Sequence, residues 1–495
     1  MEGFITYNPL DPFDGPKASD DPPPVYNKVA WQDRSPFPAI QNPTFPGSAV
    51  YSRTQEDQPA DASLKISGQG VVTVRAQPQN LLVLLVTVPS VDAGNGIALV
   101  VTHTSCDIYW IDGQGGLQKF SDDLFTEKNP KKDKWYLKNY ETNYWLSFDL
   151  PHGAIKYGIG LQTVQTQLFE IRLKTFDKGA GIWTWASNWE WMAGLEDVKA
   201  RLGKGDKSKL LLAVTALPIV NDLPPLIRSG DQVSLTELSS GLFTVPANLP
   251  VECQHLYNNV AGVNITLDTP DFPDFSSAIE HSVNTPGGYA YNLLQHKVGE
   301  LGSDILGTYL RITIGTDLGN SPGIPYVLEI WPAGHYSPIH DHGDAYAVIK
   351  VLHGAIECTY YDALREQPAP NPLYPNPTVL CKGDVTWLGK EIYQVHRLRN
   401  LSTAGKVCCT VQCYQYGDKD TTHYEAFRYL KEEGSLKEVE DFQPNSDADL
   451  ATFKTTIWNE WKNVLSGKPL CKDTKGVPDG ESVATTVDEL MQSLE

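Results

Sequence analysis

Residues 334–354 read GHYSPIHDHGDAYAVIKVLHG. His340 and His342 stand two apart, just ahead of an apolar run that closes on Gly354. Successive side chains of an extended chain point to opposite faces, so both imidazoles face one way and Asp341 the other. Imidazole is a common ligand for divalent transition metals. Gly334 and Gly354 bracket the pair in the pattern G-x5-H-x-H-x4-A-x6-G. A second block, GDVTWLGKEIYQVHRLRN at 383–400, ends in H-x3-N with His396 and Asn400. A closed β-structure sets that strand beside the first and gives a His340/His342/His396 face around one metal. A lone histidine is more often a surface or core residue, and His335 and His353 are read as structural. The other three carry weight because they fall at correlated positions between matching glycines.

No carboxylate completes this set. Zinc accepts three imidazoles with water as the fourth ligand. Iron(II) in the common oxygenase site takes two histidines and one carboxylate. An all-imidazole set leaves a divalent ion its full charge and leaves a place for an anionic ligand. A substrate thiolate fills that place, because coordination to a metal deprotonates a thiol.

The rest of the chain bounds the function. Its 495 residues are too many for one compact core, so two or three domains are expected. A net charge of −20 argues against a general nucleic-acid binder and against an anionic membrane surface. The opening MEGFITYNPLDPFDG has neither the basic nor the apolar region of a secretory signal. The aliphatic run LLVLLVTV at 81–88 is too short to span a bilayer and reads as a buried strand. The eight cysteines show no CxxC pair, which points to reduced thiols and a cytoplasmic setting.

Five segments are expected. Residues 1–60 are a proline-rich extended segment. Residues 61–176 hold short Val-, Ile- and Tyr-rich runs cut by Gly, Asp and Pro, the pattern of a β-sandwich. Residues 177–232 read as a Trp-rich linker and packing segment; Trp183, Trp185, Trp189 and Trp191 are taken as an aromatic seam rather than a ligand platform. Residues 233–430 begin with weak helical pieces and return to strands. Residues 431–495 read as an acidic tail with one helical stretch, in which Leu450, Phe453, Ile457, Trp461 and Leu465 share a face.

The bracketed histidines and the H-x3-N ending resemble the two motifs of the cupin barrel, with Ala347 standing where the first motif has its glutamate. More narrowly, GHYSPIHDHGD at 334–344 is similar to the ligand strand of the cysteine dioxygenase family. HRLRNLS at 396–402 resembles that family's third-ligand segment, and TYLRITIG at 308–315 the strand bearing its carboxylate-binding arginine. The likeness spans roughly 300–425, with an extension back to 230. It implies Fe(2+) on His340, His342 and His396. It also implies that Arg311 clamps a substrate carboxylate, with Tyr309 and Gln412 lining the same pocket. Tyr414 corresponds to the family's active-site tyrosine. The sequence departs from the family in three places. Ala347 replaces the cysteine that crosslinks to the tyrosine in eukaryotic members, and Thr410 and Gln412 replace a serine and a histidine. Gln412 can hydrogen-bond Tyr414 but cannot relay a proton as histidine does. In the N-terminal half, YWLSFDLPHGAIKYGIG at 144–160 resembles a jelly-roll module of the farnesoic acid methyltransferase type.

The expected fold is mainly β: an N-terminal β-sandwich, then a cupin jelly-roll barrel with flanking helices. The expected activity is oxidation of a small thiol carboxylate, cysteine or similar, by O2 to the sulfinate at non-heme iron(II). Its rivals are a metal-dependent cupin oxygenase or lyase acting on a non-thiol small acid, and a non-catalytic ligand-binding module.

Overall fold

The computed structural model describes residues 52–53 and 60–467. Within that span it omits 54–59, 90–93, 178–181, 221–225, 240–242, 303, 315–325, 344, 374–376, 390–391, 393, 403, 416–426, 434–435 and 443–444. The proline-rich segment up to residue 51, Cys471 and the last part of the tail lie outside the described residues.

The N-terminal half is a sandwich of two antiparallel sheets. Gly70–Ala76, Thr142–Asp149, Ala154–Ile159 and Gln167–Arg172 are neighbours in one; Leu81–Thr87, Gly96–Thr102 and Cys106–Ile111 are neighbours in the other. Leu81–Thr87 shows why the sheets stack. Leu82, Leu84 and Val86 are fully buried on one face, while their odd-numbered neighbours are half-exposed. Each such aliphatic side chain contributes about 1.5–3 kcal/mol on leaving water. Facing it across the core are Val72, Val74, Leu146, Phe148 and Ile155.

The segment read as a linker from 177 to 232 belongs in part to this sandwich. Asp197–Leu202 pairs with Leu81–Thr87 and Ala60–Ser63; Leu211–Thr215 pairs with Gly70–Ala76. Val198 and Ala200 point inward while Lys199 and Arg201 are exposed, so a short, half-polar strand hides its buried face in the sequence. Of the four tryptophans, Trp189 is buried in the sandwich core against Trp110 and Phe120, so the seam lies within one unit. The Trp183 side chain lies outside the described residues.

The C-terminal half is again two sheets, closed face to face as a barrel. One runs Leu226–Ile227, Val385–Leu388, Tyr346–His353, Cys408–Gln415, Tyr326–Trp331, Leu310–Thr313 and Ala448–Asp449. The other runs Thr378–Cys381, Ala355–Tyr360, His396–Arg399, Ile339–His340, Phe427–Glu433 and Leu436–Phe442. Pairing is antiparallel except between Leu310–Thr313 and Ala448–Asp449. Helices Val251–Val260, Phe275–Asn284, Tyr289–His296 and Leu450–Leu465 share one hydrophobic cluster with the outer face of the first sheet. Residues 431–467 are therefore part of this unit rather than a tail. The hairpin Phe427–Glu433/Leu436–Phe442 extends the second sheet, and the last helix buries Phe453 and Ile457 completely. Its start is capped by Asp449, whose carboxylate accepts from the Thr452 N–H at 2.9 Å.

Gly354 turns the chain between Tyr346–His353 and Ala355–Tyr360 with φ 72°. A Cβ there would lie 2.6 Å from the Val407 carbonyl oxygen, so only glycine fits. No described helix is long and apolar enough to cross a membrane, and no disulfide joins the described cysteines.

Candidate metal centre

Strand alternation decides what faces the barrel interior. In Leu310–Thr313, Leu310 and Ile312 are fully buried under the helices, which turns Tyr309 and Arg311 inward. In Tyr326–Trp331, Leu328 and Ile330 take the helix side, and Glu329 and Trp331 the interior. In Cys408–Gln415, Cys409, Val411 and Cys413 take the helix side, and Thr410, Gln412 and Tyr414 the interior. The result is a cavity with mostly apolar walls such as Leu301, Val351, Ile356 and Leu380.

The three histidines converge at this cavity from the second sheet. His340 and His396 are directly opposed cross-strand partners, and His342 follows where the first strand ends. Ring centroids lie 4.8 Å apart for His340 and His342, 4.6 Å for His340 and His396, and 5.1 Å for His342 and His396. One ring nitrogen from each comes within 4.8 Å of the others, the one such His/Cys/Asp/Glu group among the described residues. His340 Nδ1 lies 3.0 Å from the Pro338 carbonyl oxygen, and His396 Nδ1 lies 2.7 Å from that of Gln394. A carbonyl can only accept, so both Nδ1 atoms carry the proton and both Nε2 atoms keep a lone pair. His342 Nδ1 is buried with no hydrogen-bond partner, an orphaned atom beside two oriented lone pairs.

Burial lowers the proton affinity of all three rings. It pushes His396 down to about 3, with a further contribution from His340. It holds His340 below its ordinary value and His342 well below, the latter aided by both neighbouring imidazoles. The rings are neutral at physiological pH, the state in which imidazole binds a metal. An unpartnered buried nitrogen, two fixed tautomers and a neutral donor set fit a divalent ion held by His340, His342 and His396.

No described acid joins the cluster. Asp341 turns away from it and forms an ion pair with Arg428. Ala347 is fully buried opposite Tyr414, where its methyl group offers no ligand and no thiol to crosslink.

Beside the triad runs a chain of polar contacts. Arg311 Nη1 lies 2.8 Å from Glu329 Oε1, a directly opposed cross-strand pair with 4% and 3% of the side chains exposed. The other Glu329 oxygen accepts from Gln412 Nε2, which also reaches Thr410 Oγ1 at 3.2 Å. With its amide nitrogen turned to Glu329, Gln412 presents its oxygen to Tyr414, whose hydroxyl donates to it at 2.5 Å. Burial pushes the Glu329 carboxyl up, against the pull of Arg311. Tyr309 stacks on Trp331 with centroids 4.0 Å apart, and burial raises its hydroxyl as well. His342 lies near the Tyr414 ring, 5.8 Å between centroids, and edge-on to Phe427.

Glu329 is not among the residues that the sequence motifs single out. Its signal was present: one charge inside the apolar run YVLEIW, a residue type seldom fully buried unless paired. Asn400, singled out by H-x3-N, is structural. Its amide donates to the carbonyls of Trp331 and Lys406, at 2.8 and 2.9 Å. His335 bonds the Thr308 carbonyl and His353 bonds Glu280, both away from the triad.

Among solved structures, a cupin 2 domain-containing protein from Halorhodospira halophila is 10% identical, covering 34% of this chain and 84% of its own, with a TM-score of 0.14. A point mutant of Bacillus subtilis oxalate decarboxylase is 10% identical over 77% of this chain and 70% of its own, TM-score 0.18. The formate complex of Lactobacillus farciminis oxalate decarboxylase is 11% identical over 72% and 75%, TM-score 0.17. Likenesses this distant decide nothing about the site. A family match is more specific, although it covers less than a quarter of the chain: residues 307–418, which hold the three histidines, Arg311, Glu329, Gln412 and Tyr414, match cysteine dioxygenase type I.

Proposed function

We propose that the chain is a thiol dioxygenase, with His340, His342 and His396 holding iron(II). The observation that carries this reading is a set of three neutral imidazoles, two of them buried, with no described acid among them, inside a segment that matches a dioxygenase family. Iron, when bound, supplies the redox centre that brings O2 and a thiol sulfur to reaction. The sulfur takes both oxygen atoms of one O2 and the thiol proton is released, giving a sulfinate with no further oxidant or reductant. Cysteine and other small thiol carboxylates are the first candidates by family likeness.

The residues have separate tasks. Carbonyls of Pro338 and Gln394 fix two rings so that their Nε2 lone pairs face one point. Apolar walls keep water from the reacting sulfur. Gln412 engages the Tyr414 proton and so sets the direction of that hydroxyl beside His342. Arg311 is the one guanidinium lining the cavity among the described residues, and Glu329 is its resident partner.

Oxygen consumption by the iron-loaded protein, followed with a panel of thiols and non-thiol acids, tests the reading. At least one thiol is expected to drive O2 uptake and to gain the mass of two oxygen atoms. Uptake with a non-thiol acid alone would move the chain to a different metal-dependent chemistry.

A further inference from the structure

In the seat expected to receive a substrate carboxylate, the structure has a carboxylate of its own. Glu329 opposes Arg311 in strand register, contacts its Nη1 at 2.8 Å, and is itself held by Gln412 through its other oxygen. Both members of the pair are almost fully buried. An incoming carboxylate has two ways to reach the guanidinium. It can displace Glu329, leaving a buried carboxylate with the Gln412 amide and the weaker pull of Lys297 in place of its ion pair, a strongly unfavourable exchange. Or it can sit beside Glu329, placing two anions on one cation against the apolar walls of Leu301, Trp331 and Val351. A thiol with a neutral or amine tail meets neither obstacle. An amine could also donate to a Glu329 lone pair left over from the two bonds already made.

We infer that Glu329 is a specificity-determining residue: it serves Arg311 as an internal carboxylate, so that the pocket takes a thiol without a carboxylate. The inference rests on the thiol dioxygenase reading and narrows its substrate class, away from the thiol carboxylates that family likeness puts first.

The test is anaerobic calorimetric titration of the full-length, iron-loaded protein with 2-aminoethanethiol and with 3-mercaptopropionate, compact thiols whose tails carry opposite charge. Wild type is expected to bind the aminothiol more tightly, by roughly tenfold or more. Glu329→Gln keeps the shape and an acceptor for Gln412 but frees the guanidinium. It is expected to tighten 3-mercaptopropionate by a similar factor with metal content unchanged. Should that variant fold poorly, the Arg311→Met/Glu329→Met pair removes both charges; it is expected to bring the two affinities to within a few fold, and an undiminished preference for the aminothiol overturns the inference. Wild type that binds 3-mercaptopropionate as tightly as the aminothiol overturns the inference while leaving the thiol reading intact. Wild type that binds neither thiol overturns both.

Discussion

At His396, one ring combines three constraints: a cross-strand partner in His340, a carbonyl on Nδ1, and nearly complete burial. Replacing it with alanine leaves two imidazoles and a gap where the third lone pair stood. His396→Ala is expected to lose bound metal and O2 uptake together while the far-ultraviolet spectrum stays that of the wild type. Metal content by plasma emission, measured alongside circular dichroism, checks this. The histidines were readable from the sequence because strand periodicity and glycine turns act over a few residues. Glu329 was not, although its sequence neighbours are plain. Its partner Arg311 lies eighteen positions away, across residues 315–325, and only the register of two strands sets the charges opposite each other.

Among elements, the helix Leu450–Leu465 shows how a periodic face is used. Phe453 and Ile457 are fully buried against the helices and the first sheet, whereas Leu465 at the end of the same stripe is 66% exposed. The stripe was legible in the sequence; how far along it the core extends was not, because that depends on where the packing partners end. Phe453 touches Phe275 and Tyr289, so Phe453→Ala opens a cavity among aromatic rings. The expected cost is about 3–5 kcal/mol in urea unfolding. A loss under 1 kcal/mol would mean that the helix adds little to the barrel.

Across the whole molecule, the two β units touch, and the sandwich carries a buried charge of its own. Gln69 of the sandwich donates to the Asp362 carbonyl of the barrel at 2.8 Å. In the sandwich, Asp149 is buried with His152 Nδ1 2.9 Å from both of its oxygens. Burial alone would raise this carboxyl, but His152 and Lys156 outweigh it and hold it well below the usual range. A carboxyl lowered by folding stabilises the fold above its unfolded value near 4, and the gain is lost as pH falls below that. Asp149→Asn is therefore expected to cost about 3 kcal/mol at pH 7. That deficit should shrink as the pH drops below about 4, as followed by thermal melts of both proteins. A deficit independent of pH would assign the loss to packing.

The sequence by itself determined the β character of both halves, the histidine set and the alanine where the motif would place a carboxylate, since alternation, turns and ligand spacing are written within short stretches. Tertiary structure alone decided that 197–215 completes the sandwich, that 427–465 completes the barrel, and that Arg311 already holds an anion. Each of these depends on strands pairing across long stretches of chain, and no local pattern specifies which strand a given edge will meet.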